Sequence, residues 1–241
     1  QALPILFIPT TLIGSFTLVL VPEISESFYK KQNAYLKNDV EKAVKFTALL
    51  SASFIPAFFV CGEEIGMIIF GNADCGKYLT ASAFLVFFMS VSSVTSSMLN
   101  SMGKEKIVLV FTASSGVLMI ASIWFLPKVI GVYALLVGFS FVYVLTTILN
   151  FVLLDKVCPE KPKYAKYLVI CALLVVPACL FGLMLEKLFL PIFGTFFTFV
   201  FTAGLSTVFI WLLYLGFGLF SAETIRTKMG VKKRHSPANP A

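Results

Sequence analysis

IVLVFTASSGVLMIASIWFL at residues 107–126 and GVYALLVGFSFVYVLTTILNFVLL at residues 131–154 each run without one charged side chain. A bilayer hydrocarbon core about 30 Å thick takes roughly 20 apolar residues as a helix rising ~1.5 Å per residue. Both stretches are long enough. In lipid the backbone must satisfy its own hydrogen bonds, which makes each of them a helix. The same ruler applied outward finds five further segments, at 3–21, 44–61, 78–101, 167–185 and 192–220. The expectation is an all-α polytopic membrane protein with seven transmembrane helices.

Composition agrees. Of 241 residues 59% are hydrophobic and 13% charged, where soluble domains have about 45–50% and about 25%. A soluble monomer exposes apolar patches of only roughly 300–600 Å², so an excess of this size belongs in lipid. Basic residues then orient the spans, because Lys and Arg collect in cytoplasmic loops. Assigned alternately, the loops put Lys30, Lys31, Lys37, Lys42 and Lys45, then Lys104 and Lys106, then Lys156, Lys161, Lys163 and Lys166, then Arg226, Lys228, Lys232, Lys233 and Arg234 on one side. These are 16 of the 19 basic residues; Lys77, Lys128 and Lys187 fall on the other. A miscounted span would have mixed the two groups. The partition predicts an external N-terminus and a cytoplasmic C-terminus. The net charge of +7 is thereby a topology signal that also attracts anionic lipid headgroups, at about 1 kcal/mol per basic residue. Membrane lipid is an expected partner and nucleic acid is not. QALPILF at residues 1–7 has no methionine and no basic segment ahead of the first apolar run. The expectation is therefore a C-terminal portion of a longer protein, since seven spans with the N-terminus outside are what half of an even-numbered transporter leaves.

Little here supports catalysis. The one histidine, His235, sits in the tail RTKMGVKKRHSPANPA, and Cys61, Cys75, Cys158, Cys171 and Cys179 show no metal-ligand spacing. No catalytic residue, metal site or cofactor is expected, and the protein is not expected to be an enzyme. No Asp, Glu, Lys, Arg or His lies near the middle of a span, where it would mark an ion or proton path; Glu186 and Lys187 stand at the outer end of the sixth.

Polar residues inside the spans fall into patterns. Ser90, Ser93, Ser97 and Asn100 share one face at helical spacing, and Tyr143, Thr146 or Thr147, and Asn150 make a second stripe. Such stripes serve either close helix packing or a polar translocation cavity. Pro4, Pro9 and Pro56 lie inside spans, and each removes a backbone donor; Thr10 and Thr11 stand near to satisfy freed carbonyls. A bent helix that moves and a static kink both fit. Pro22 is expected to end or bend the first helix. Asn38 with Glu41 resembles a capping box for a helix starting near residue 39, and Glu41 with Lys45 an i, i+4 pair. Between the second and third spans CGEEIGMIIFGNADCGKY (61–78) reads as an outer loop with a brief surface helix, where Cys61 and Cys75 are either a disulfide or one buried and one surface thiol.

Residues 21–71, LVPEISESFYKKQNAYLKNDVEKAVKFTALLSASFIPAFFVCGEEIGMIIFG less its first Leu, and SSMLNSMGKEKIVLVFTASSG at 96–116 carry a resemblance. A Pro-x-x-Ser-Glu turn (Pro22, Ser25, Glu26) precedes a basic loop and a Pro-containing span. A short outer helix ends in Ile69, Phe70 and Gly71, and a Gly-Lys turn (Gly103, Lys104) follows a Ser-rich span. In order and spacing this resembles the polysaccharide-exporter and flippase branch of the multidrug/oligosaccharidyl-lipid/polysaccharide superfamily, over about residues 5–155. The resemblance implies the C-terminal lobe of a fourteen-helix transporter fold. Residues 1–155 would form a transport lobe of five transmembrane helices, 156–220 two additional ones, and 221–241 a basic cytoplasmic tail without fixed structure. It implies a flippase or exporter of an undecaprenyl-pyrophosphate-linked oligosaccharide, working by alternating access in the cytoplasmic membrane for cell-wall, spore-envelope or polysaccharide biogenesis. Its partners would be membrane lipid, the lipid-linked saccharide and an N-terminal lobe of the same protein. On that reading Ser90, Ser93, Ser97, Asn100, Tyr143, Thr146 and Asn150 line a cavity wall. Lys104 and Lys106 stand at its cytoplasmic mouth, and Pro9, Pro22 and Pro56 are hinges. Cation-coupled multidrug efflux on the same fold is the alternative transport function, and a membrane-embedded transferase or a receptor the alternatives from other classes.

Overall fold

The computed structural model of the chain describes residues 3–219, without the side chains of 191–196; the tail 221–241 lies outside it. Among the described residues the fold is helical with no strand: α1 (Leu3–Tyr29), α2 (Asn33–Val60), α3 (Gly62–Phe70), α4 (Ala73–Ser82), α5 (Leu85–Ser101), α6 (Glu105–Phe125), α7 (Pro127–Ile130), α8 (Tyr133–Val157) and α9 (Tyr164–Gly216). Six segments are long and apolar enough to cross a membrane: α1, α2, α6, α8 and the two limbs of α9, Tyr164–Leu190 and Phe197–Gly216. Helices α4 and α5 make a seventh only as a pair, bent by 55° at Ala83–Phe84. The span expected at 78–101 is thus broken near its N-terminal end, with no proline at the break.

The limbs of α9 fold back on each other. A straight helix would put Phe181 and Phe209 roughly 42 Å apart at ~1.5 Å per residue, yet their rings stack with centroids 4.3 Å apart. Phe189 likewise meets Phe201. The chain therefore doubles back between the limbs Tyr164–Leu190 and Phe197–Gly216.

Helix α2 is the centre of the bundle, touching α1, α5 and both limbs of α9. Ala43, Val44, Ala48, Leu49, Ala52 and Ile55 are buried along its length. Small residues let neighbours approach, and Ser51 and Ser53 satisfy themselves on the Ala48 and Leu49 carbonyls. By contrast α6 buries only Val108, Ser115 and Ser122, and leaves Leu109, Val110, Val117, Ile120 and Trp124 exposed. That is a lipid-facing helix, which has no reason to be polar on its outer side.

Three local expectations need correction. Pro22 does not end α1, which continues to Tyr29. Helix α2 begins at Asn33, so Asn38 lies inside it and caps nothing; Asp39 accepts from Ser27 Oγ instead, and Glu41 Oε1 accepts from the Lys163 backbone rather than pairing with Lys45. Lys45 Nζ sits over the Tyr167 ring, 5.0 Å from its centroid. Finally, Thr10 and Thr11 donate to Leu6, Phe7 and Ile8, not to the Ile5 carbonyl that Pro9 frees.

The connection between α2 and α5 holds two helices, not one. Gly62 and Gly66 on α3, at the G-x-x-x-G spacing of close helix contacts, meet Gly76 on α4. A Cβ on Gly76 would lie 2.7 Å from the Gly62 carbonyl oxygen and 2.9 Å from that of Glu63. Gly71, at φ 63°, ends α3 in the left-handed conformation, and Asn72 Oδ1 caps α4 by accepting from Asp74 N at 2.8 Å. All five cysteines are thiols; Cys61 is buried and Cys75 half-buried.

Candidate functional site

The connections between helices sort by charge. Ser25 Oγ on α1 donates to the Ser101 carbonyl at the end of α5 (3.1 Å). Lys37 on α2 pairs with Glu160 in the α8–α9 connection at 3.5 Å, and Glu41 accepts from Lys163 N at 2.6 Å. The α1–α2, α5–α6 and α8–α9 connections therefore lie at one end of the bundle. Of the described basic residues, Lys30, Lys31, Lys37, Lys42, Lys45, Lys104, Lys106, Lys156, Lys161, Lys163 and Lys166 belong to that end. At the opposite end Asp74, Cys75 and Tyr78 of α4 border Ile130–Tyr133 and Leu3 around a cleft of about 520 Å³. Only Lys77, Lys128 and Lys187 belong there. The charge asymmetry read from the sequence is thus an asymmetry of the folded bundle.

The predicted cavity residues divide between packing and surface. Asn150 is fully buried, and its Nδ2 donates to Ser96 Oγ at 2.9 Å, Thr95 Oγ1 at 3.0 Å and the Ser92 carbonyl at 3.4 Å. Thr146 Oγ1 donates to Ser115 Oγ of α6 (3.1 Å), and Thr147 to the carbonyls of Tyr143 and Phe88. Tyr143 is half-buried with its ring stacked on Phe139. The α8 stripe is therefore polar glue between α8, α5 and α6, the packing alternative of its sequence reading. Its partners Ser92, Thr95 and Ser96 lie around the helix from the expected α5 stripe; the signal was in the sequence, since three hydroxyls at i, i+3 and i+4 face one way.

The α5 stripe itself behaves differently. Ser90 is fully buried, with no hydrogen-bond partner for its Oγ among the described residues. Below it Ser93 and Asn100 are exposed and Ser97 is half-buried, donating only to Ser93 O within the same helix. The strip ends at the turn Met102–Lys104, where Gly103 takes φ 72°, with Lys104 half-buried and Lys106 exposed. Ser93, Ser97 and Asn100 are thus exposed or half-buried along α5, with Lys104 and Lys106 following in the turn and the start of α6, whereas Thr146 and Asn150 are buried. Of the proline positions, Pro9 and Pro56 are buried inside α1 and α2, and Pro22 is exposed within α1.

One buried carboxylate lies away from the strip, in the connection between α2 and α5. Glu64 on α3 is 9% exposed, and its Oε2 has no donor among the described residues. Helix α3 also packs against α9, which carries Glu186. Among the described residues no group of three His, Cys, Asp or Glu side chains is placed to hold a metal ion. In the α8–α9 connection, burial pushes the Cys158 thiol up to about 11, with the Asp155 carboxylate adding to it.

Comparison of the chain with known protein families, with curated proteins and with solved structures finds no match.

Proposed function

We propose that this chain is one lobe of an alternating-access transporter that moves an undecaprenyl-pyrophosphate-linked oligosaccharide across the cytoplasmic membrane, for cell-wall, spore-envelope or polysaccharide biogenesis. The observation that supports it best is the Ser93, Ser97 and Asn100 strip. It is an exposed polar face on a helix otherwise packed among α1, α2 and α8, and it leads to Lys104 and Lys106. A polar face against lipid is costly unless water or a polar partner meets it. Serine hydroxyls and an amide suit a saccharide, being both donors and acceptors. The two lysines would meet a pyrophosphate as point charges, while the polyprenyl tail stays in lipid beside the exposed Phe7, Ile8, Leu12 and Phe16 of α1.

On this reading the basic end faces the cytoplasm, following the positive-inside bias, and a second lobe of the transporter fold covers the strip. The sequence resemblance to the flippase branch supplies that architecture. The test is translocation by the full-length protein in proteoliposomes with Ser93→Leu and Asn100→Leu combined. The double variant should insert normally and lose most lipid-linked saccharide flipping. Ser114→Leu, at an exposed position of α6, should flip as wild type does. Normal flipping by the double variant would remove the strip from the path.

A further inference from the structure

We infer that Tyr29 and Lys31 join Lys104 and Lys106 in holding the pyrophosphate of the carried lipid, in a site made by two turns at the basic end of the bundle. On the flippase reading, on which this rests, the two residues add a hydroxyl and a third cation to the end of the Ser93, Ser97 and Asn100 strip. The turns are pinned to each other. Ser25 Oγ of α1 donates to the Ser101 carbonyl at the end of α5 (3.1 Å). One helical turn further along α1, the Tyr29 hydroxyl lies over the α5–α6 turn, 3.2 Å from the point where a Cβ on Gly103 would stand. Glycine leaves that space free. Gly103 also takes φ 72° to close α5, with its N–H on Asn100 O and the Lys104 N–H on Leu99 O, both at 3.0 Å. The phenol is therefore held beside the backbone of Lys104, where the strip ends.

The α1–α2 turn is built in the same way, with one difference. Lys31 N donates to Phe28 O (3.1 Å) and Gln32 N to Ser27 O (3.0 Å), and Lys31 takes φ 55°, the left-handed conformation in which helices usually end on glycine. A Cβ is strained there, and glycine would fit without that strain. The α5 end has its glycine; the α1 end keeps an exposed lysine. Backbone strain held at an exposed charged side chain points to a use for the side chain. Lys31, Lys104 and Lys106 have no ion-pair partner among the described residues, whereas Lys30 is taken by Glu26 one turn back. Glu105 is the one carboxylate between Lys104 and Lys106, so the two turns keep an excess of positive charge. A diphosphate bridging two substituents only accepts hydrogen bonds, and ammonium groups and a phenol donate them. The lysines reach it as point charges on flexible stems, while Tyr29, set over Gly103, supplies a donor of fixed position. The saccharide then lies along the strip and the tail in lipid.

Lysine footprinting of the full-length protein in phosphatidylcholine nanodiscs tests this, with the acylation rate of each lysine followed by mass spectrometry as geranylgeranyl pyrophosphate is added. Lys31, Lys104 and Lys106 should become several-fold slower to react, and Lys161, exposed in the α8–α9 connection, should not change. Geranylgeraniol, which lacks the diphosphate, should have no effect. Read through the protection of Lys104, Tyr29→Phe and Lys31→Gly should each weaken binding about fivefold, the worth of one net hydrogen bond. Because glycine suits φ 55°, Lys31→Gly should unfold no more readily than wild type, so its weaker binding is not a loss of fold. Lys31 reacting at its unliganded rate, equal protection by phosphatidylglycerol, or full affinity in both variants would overturn the site. Protection of Lys31 in a protein that does not flip the lipid would support the site and remove the flippase reading; normal flipping with Lys31 unprotected would do the opposite.

Discussion

Gly76→Ala is the sharpest structural perturbation available where α3 meets α4. The added Cβ would lie 2.7 Å from Gly62 O and 2.9 Å from Glu63 O, against an ordinary C···O approach of about 3.3–3.6 Å. Both obstacles are backbone, so no rotamer change relieves them, and α3 and α4 must part by roughly half an ångström or more. Overpacking of this kind costs about 1–3 kcal/mol. Gly116→Ala on α6 is the matched control: nothing lies within 4 Å of its Cβ position, and alanine favours a helix interior over glycine by about 1 kcal/mol. The two variants should therefore differ by about 2–4 kcal/mol. Reversible unfolding in mixed micelles, followed by the fluorescence of Trp124 and Trp211, measures this. Stabilities within about 0.5 kcal/mol of each other would mean that the glycine crossing does not hold α3 and α4 together.

Asn150→Leu removes two side-chain bonds to α5, and at about 0.6–1.7 kcal/mol for each interhelical bond in a membrane should cost about 1–3 kcal/mol in the same assay. Asn100→Leu, at an exposed position, should cost less than 0.5 kcal/mol; equal costs would undo the division between glue and surface. Cys158, with its thiol pushed up to about 11, reacts through a thiolate that is scarce at neutral pH. Its alkylation in the folded protein should be slow at about pH 8 and rise nearly tenfold per pH unit toward 11. Asp155→Asn should move that rise to lower pH, as counted by mass spectrometry, and a rate that is already level at pH 8 would contradict the burial.

The spans were legible because lipid imposes a single demand, an uninterrupted apolar helix, and segments such as 107–126 meet it without tertiary help. The basic loops were legible for a related reason: charge cannot enter the core, so Lys37 or Lys163 can only mark an end. Less legible was how one polar helix face differs from another. Ser93 and Ser96 are chemically alike and three residues apart, yet one is exposed and the other accepts from Asn150 across a helix contact. Only the position of α8 decides between them. The bend at Ala83–Phe84 has no proline or glycine to announce it, and it follows from α4 being held down on α3. Glu64 looked like a loop carboxylate because its burial comes from α4 and α9, far along the chain.

Translocation by the full-length protein in proteoliposomes bears most directly on the function, comparing a fluorescent short-chain polyprenyl-pyrophosphate disaccharide with a cationic dye. Protein-dependent exposure of the labelled lipid to an added quencher, with the dye left in place, is the predicted result. Dye movement driven by an ion gradient, with the lipid unmoved, would contradict it and place the protein among cation-coupled efflux transporters.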